Sequence, residues 1–203
     1  MAIPGEDLHA DLAGGWVLPE PAPREAVHTR SIVCRSFRRD DGLIDIDGRF
    51  IDTRPFAYRS DFRGDCAAGS ALHNMQLRLT VDRSRRIQAV VSAMPGTPYA
   101  GCGEVNANFQ RLVGLSIARG FRKALRERLG GVEGCTHMLA LIDTLAAAAV
   151  QAFASSNYAP RQPGQPEPVR VWKLEGLVDT CYSYRSDGVV MQQLRARPAH
   201  QDH

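Results

Sequence analysis

The run His73-Asn74-Met75-Gln76-Leu77-Arg78-Leu79-Thr80-Val81 alternates without a break. His73, Met75, Leu77, Leu79 and Val81 fall on one face and Asn74, Gln76, Arg78 and Thr80 on the other, the two-residue period of a strand with one side in a core and one in water. A chain with such a strand must supply a second layer to cover the apolar face. That cover is legible further on, where Met138, Leu141, Ile142, Leu145, Ala149 and Phe153 make a helix from about Gly134 apolar on most of its sides. With 203 residues and 44% hydrophobic content, the chain is expected to form one α+β domain: an antiparallel sheet packed against this buried helix, plus amphipathic helices.

The neighbouring segments extend the sheet. Ser31 to Phe37 and Leu43 to Thr53 are rich in Ile, Val, Phe and Thr, and Asp41-Gly42 and Asp47-Gly48 read as two turns of an antiparallel meander. After the charged turn Asp82 to Arg85, the residues Ile87, Ala89, Val91 and Ala93 alternate with more polar positions, which predicts a strand paired with the first and ended by Met94-Pro95-Gly96. The loop Gly96 to Gly103 leads into two expected helices. The second carries the apolar stripe Ala118, Phe121, Leu125 and Leu129 and stops at Gly130-Gly131. Four prolines make Ser155 to Pro168 a connecting loop, Val169 to Glu175 and Leu177 to Tyr184 are strand-like, and Ser186-Asp187-Gly188 turns into Val189-Val190-Met191. The expected boundaries are an arm over residues 1–27, one domain over 28–195 and a tail over 196–203.

Charge narrows the partners. The net charge of +3 arises from 25 basic against 22 acidic residues, far from the excess of a dedicated nucleic-acid binder. The basic stripe Arg119, Arg122, Lys123 and Arg126 has no aromatic platform beside it and reads as a solvated helix face. The first residues offer neither a basic start nor an apolar run for export, and the apolar stretch Met138 to Phe153 reads as a buried helix too short to span a bilayer, so a cytoplasmic location is expected. Five cysteines, an odd number, are expected as free thiols. No glycine-rich phosphate loop or nucleophile-elbow serine is present. The cysteine and histidine spacing lacks the paired ligands of a structural metal site. The expectation is therefore a protein without cofactor or metal, whose partner is a small molecule rather than nucleic acid or membrane; a homo-oligomer is left open.

Chemistry can be assigned to few residues. His73 opens the strongly patterned strand on its inward face, where it is either a hydrogen-bonded core histidine or an acid/base at the rim of the sheet. Tyr58 and Arg59 supply a phenol and a guanidinium suited to steadying a developing oxyanion. Tyr99, Cys102, His137 and Tyr182 are candidate substrate contacts, Cys102 lying in the small-residue loop Tyr99-Ala100-Gly101-Cys102-Gly103. Cys135, at a helix start, is a candidate nucleophile, but residues two apart on a helix do not face one another, so His137 is not expected to serve as its base.

The ordered set Arg39-Asp40-Asp41-Gly42, His73-Asn74-Met75 with Leu77-Arg78-Leu79-Thr80-Val81-Asp82, Gly134-Cys135-Thr136-His137 and the late Cys181 resembles a bacterial family catalogued only as a domain of unknown function, over about His28 to Met191. The resemblance implies an association with genes for aromatic-compound breakdown and transfers no catalytic residues. On this reading the chain is expected to be a cofactor-independent lyase on an aromatic, lignin-type phenolic molecule, in which a base removes a proton and formaldehyde is lost. Two other readings stand beside it: acyl transfer or thioester hydrolysis through Cys102 or Cys135, and an aromatic-ligand-binding protein without turnover.

Overall fold

A computed structural model describes residues 18–156 and 178–196. Four strands, β1 (Thr29–Arg38), β2 (Ile44–Thr53), β5 (Ala71–Val81) and β6 (Ile87–Gly96), form an antiparallel sheet in the order β1-β2-β5-β6. Between β2 and β5 the chain makes a small hairpin of β3 (Tyr58–Ser60) and β4 (Gly64–Cys66). A 3-10 segment (Ala100–Leu112), helix α1 (Phe121–Leu129) and helix α2 (Thr136–Ser156) follow, and α3 (Val189–Ala196) lies beyond the second undescribed stretch. The α+β architecture is the one the sequence predicts.

The layers arise as the alternation requires. The inward residues of β5, from His73 through Val81, are all buried, as are Ile44, Ile46, Phe50 and Asp52 on β2. Against them α2 lays Met138, Leu141, Ile142, Leu145, Ala149 and Phe153, and α1 adds Phe121, Leu125 and Leu129. By length and composition α2 could cross a membrane, but these core contacts account for its apolar face and are compatible with a soluble domain.

Three local expectations are corrected. Asp47-Gly48 is no turn: both residues lie inside β2, with Asp47 paired to Arg35 and Arg78. Gly48 is needed there because α2 comes so close that a Cβ would sit 2.8 Å from Leu145 and 2.9 Å from Leu141. Ile87, Ala89, Val91 and Ala93 do not share the core face. An irregularity between the pairs Val81↔Ile87 and Thr80↔Ala89 inserts one residue, so Val90 turns inward beyond it and Val91 outward. Val178 to Tyr184 forms turns and a short 3-10 segment, Tyr182–Tyr184, rather than a strand, and Val189-Val190-Met191 begins α3. The loop expected at Ser155 to Pro168 begins within α2, and its remainder, with the strand-like Val169 to Glu175, lies outside the described residues.

Candidate active site at one end of the sheet

Asp52 is the last inward residue of β2, and β5 delivers His73 directly opposite it. The pair sits beside a second irregularity, between Asp52 and Thr53, where Leu72 drops out of the ladder. Asp52 is 1% exposed, so its charge needs compensation, and four donors converge on it. Arg30 grips both oxygens, Nε to Oδ1 at 2.8 Å and Nη2 to Oδ2 at 3.0 Å; Nδ1 of His73 is 2.9 Å from Oδ2, and Nε2 of His28 is 3.1 Å from Oδ1. Arg30 is the cross-strand neighbour of Asp52 on β1, and His28 lies two positions earlier. Both are about two-fifths exposed and form the solvent side of the group.

The first turn of α2 completes the cluster. The His137 ring lies 4.0 Å from that of His73, centroid to centroid. Phe50, fully buried, is a common floor: His137 meets it edge-on at 5.5 Å, His73 at 6.3 Å, and the Arg30 guanidinium covers its face at 4.5 Å. Cys135 Sγ is 3.8 Å from His137 Nδ1, a contact the helical spacing argument did not foresee. Cys135 stands ahead of Thr136, the first residue of α2, so the rule for residues two apart within a helix does not govern it.

Burial and charge set the protonation states. Burial works against the Asp52 carboxylate, but Arg30, His73 and His28 outweigh it and hold its pKa below the ordinary value. Burial pushes the His73 pKa down, against the opposing pull of Asp52, and burial together with the charges of His73 and Arg30 pushes that of His137 down. Both imidazoles are therefore neutral at neutral pH. With Nδ1–H donated to Asp52, His73 keeps a free lone pair on Nε2.

These shifts fix the sign of a stability change. A histidine whose folded pKa is depressed binds fewer protons folded than unfolded, so its contribution is present above the unfolded value near 6.5 and is lost as pH falls through the folded value. The groups facing the two rings are Asp52, Arg30, His28 and Cys135. Urea unfolding is expected to show a lower midpoint at pH 5.5 than at pH 8, with the difference shrinking in the double variant His73→Gln/His137→Gln. An undiminished difference in that variant would place the acid sensitivity elsewhere.

Asp52, His73 and His137 each place a donor atom within 4.8 Å of the others, a spacing that a transition-metal ion could contract. Both Asp52 oxygens are already held by Arg30, whose fixed charge would oppose a dication on the same carboxylate. The donor set fits proton transfer better than ligation.

A model of the family described as "Protein of unknown function (DUF2889)" matches residues 28–151. The chain belongs to the DUF2889 family. The matched region starts at His28 and includes Arg30, Asp52, His73, Cys135 and His137, while Cys181 falls beyond it. No curated protein and no solved structure matches the chain.

Of the eight residues singled out from the sequence of this DUF2889 chain, the structure brings His73, His137 and Cys135 together. Tyr58 and Arg59 belong to the β3–β4 hairpin instead. Arg59 pairs with Asp65 in solvent, and Tyr58 faces Cys66 with its ring under the Arg54 guanidinium at 4.2 Å. The Tyr58 hydroxyl is buried and, among the described residues, meets no partner at hydrogen-bonding geometry; burial first, and then the proximity of the Cys66 thiol, raises its pKa. Tyr99 is exposed against Phe62; Cys102 is half-buried with its N–H on the Tyr99 carbonyl; Tyr182 is exposed beside Arg185. Asp52, Arg30 and His28 were missed. The inward direction of Asp52 was legible in the alternation Ile44, Ile46, Gly48, Phe50, Asp52, which the supposed turn at Asp47-Gly48 interrupted, whereas Arg30 and His28 are placed by the β1–β2 register.

Proposed function

We propose that the Asp52–His73–His137 cluster is the acid–base centre of a lyase acting on a small phenolic molecule, cleaving a carbon–carbon bond with release of formaldehyde. The observation that carries this reading is the buried carboxylate–imidazole pair, Asp52 Oδ2 to His73 Nδ1 at 2.9 Å, on the inner end of the sheet. A carboxylate so placed fixes the tautomer of the imidazole and steadies the imidazolium formed when it takes a proton.

In the proposed step, Nε2 of His73 accepts the proton of a hydroxymethyl O–H. The O–H electron pair becomes the second bond of formaldehyde as the C–C bond breaks, and the C–C pair passes to the carbon left behind, delocalised into the phenolic ring. Return of the proton to that carbon completes the conversion of R–CH2OH to R–H and CH2O. Oxidation levels balance, so no redox cofactor enters the step. The reading of the partner as a small aromatic molecule accords with the family resemblance.

The Cys135 Sγ contact with His137 at 3.8 Å favours a second reading, a thiol nucleophile for acyl transfer. One experiment separates them. The protein is incubated in D2O with para-hydroxyphenyl compounds bearing a hydroxymethyl side chain, and aldehyde is trapped as its hydrazone. The lyase reading expects formaldehyde and one deuterium at the cleaved carbon, with activity surviving alkylation of thiols. Saturable binding with no aldehyde would leave a ligand-binding protein. Thioester hydrolysis abolished by alkylation, with no aldehyde formed, would establish the nucleophile.

A further inference from the structure

Two large aromatic side chains stand in solvent beside the end of the sheet that carries the cluster. Phe62 is 73% exposed and Tyr99 54% exposed, yet their rings hold one another edge to face at 4.9 Å. They come from separate segments, Phe62 from the turn of the β3–β4 hairpin and Tyr99 from the stretch after β6. Each segment is fastened to the start of β5. Next to Phe62, Arg63 donates from Nη1 to the carbonyls of Ala71 at 2.9 Å and Leu72 at 3.4 Å, the two residues before His73. Gly96, at the end of β6, pairs with Asn74, the residue after His73. The turn itself is braced, the Phe62 and Arg63 N–H groups both donating to Ser60 Oγ.

We propose that Phe62 and Tyr99 form an aromatic subsite that holds the ring of the substrate over the His73 end of the sheet. An exposed aromatic pair forfeits the gain of burying its faces, and a planar ring laid against it would recover that gain. The two segments braced on either side of His73 make the pair a fixed wall rather than two loose side chains. A phenol ring fits the chemistry because its face meets apolar edges while its hydroxyl stays in water. This inference rests on the reading of the Asp52–His73–His137 cluster as the active centre, and it assigns Phe62 a role that its sequence position does not suggest.

The test uses 4-methylphenol as probe, titrated calorimetrically into the full-length protein and its variants. Phe62→Ala is expected to weaken binding by about three- to tenfold, and Phe62→Tyr, which keeps the ring, to restore it. Tyr182→Ala removes a tyrosine still more exposed than either, whose ring lies against Arg185, and is expected to change nothing. With a turned-over substrate, Phe62→Ala should raise KM and leave kcat within about twofold. Equal affinity of wild type and Phe62→Ala, or no saturable binding of the probe to either, overturns the subsite. Probe binding that depends on Phe62 in a protein releasing no aldehyde from any phenol would keep the subsite and discard the lyase, whereas aldehyde release indifferent to Phe62 would do the reverse.

Discussion

Replacing His73 with glutamine is expected to lower kcat by roughly a hundred- to ten-thousand-fold, the range that a positioned general base contributes. Glutamine is close in size, and its amide N–H can still donate to Asp52 Oδ2, where Nδ1 stands at 2.9 Å. What disappears is the lone pair that accepts a proton. The variant should therefore unfold in urea near the wild-type midpoint at pH 8 while the acid limb of the pH–rate profile vanishes. Asp52→Asn should act through the same imidazole, since an amide facing Nδ1 no longer selects the tautomer that leaves Nε2 free. Full turnover in His73→Gln would remove the base from the mechanism. Loss of folding, with normal activity per folded molecule, would reduce His73 to a buried histidine serving only the core.

Phe50→Ala is expected to cost about 3–5 kcal/mol of unfolding free energy, as deletion of a fully buried phenylalanine does. Phe50 is wholly inaccessible and touches both layers of the molecule. It faces the core from β2, takes the Arg30 guanidinium on its ring, and makes T-shaped contacts with His73 and His137. Its removal should thus lower stability and loosen the cluster together, whereas Phe50→Leu, which refills most of the space, should recover much of the stability without the ring contacts. Chemical denaturation of the three proteins measures the first effect, and activity per folded molecule the second. A loss below about 1 kcal/mol in Phe50→Ala would mean that the cavity collapses and that Asp52 alone holds the imidazoles.

The parts of the fold written in simple periods could be read directly. β5 alternates over its inward residues with large aliphatics, and α2 is apolar on most sides, so layer and cover followed from the side chains. The misreading of β6 has a definite origin: Ala89 and Ala93 carry too little apolar surface to declare a face, and the inserted residue near Ile87 depends on pairing rather than composition. Half of the site was hidden for a different reason. A buried aspartate runs against every hydropathy signal and becomes intelligible only with the groups that compensate it, and Arg30 and His28 are brought to Asp52 by strand register, more than twenty residues away in the chain. His73 and His137 could be suspected singly, but nothing in their spacing says that their rings meet.

The pairing of Arg30 with Asp52 across adjacent strands also bears on how the charged end of the core can be assembled. The two residues are direct partners in the β1–β2 hairpin, which closes through the short Asp41-Gly42 turn. That contact needs neither β5 nor α2, so anion and counter-ion can meet while the hairpin is still wet, and the carboxylate goes into the interior already paired to a guanidinium that stays at the solvent side. His73 and His137 then dock against a carboxylate that has already been compensated. A chain whose aspartate had its cation on α2 instead would have to bury a bare charge until its last large element arrived; here a contact made within one hairpin removes that barrier from the folding path.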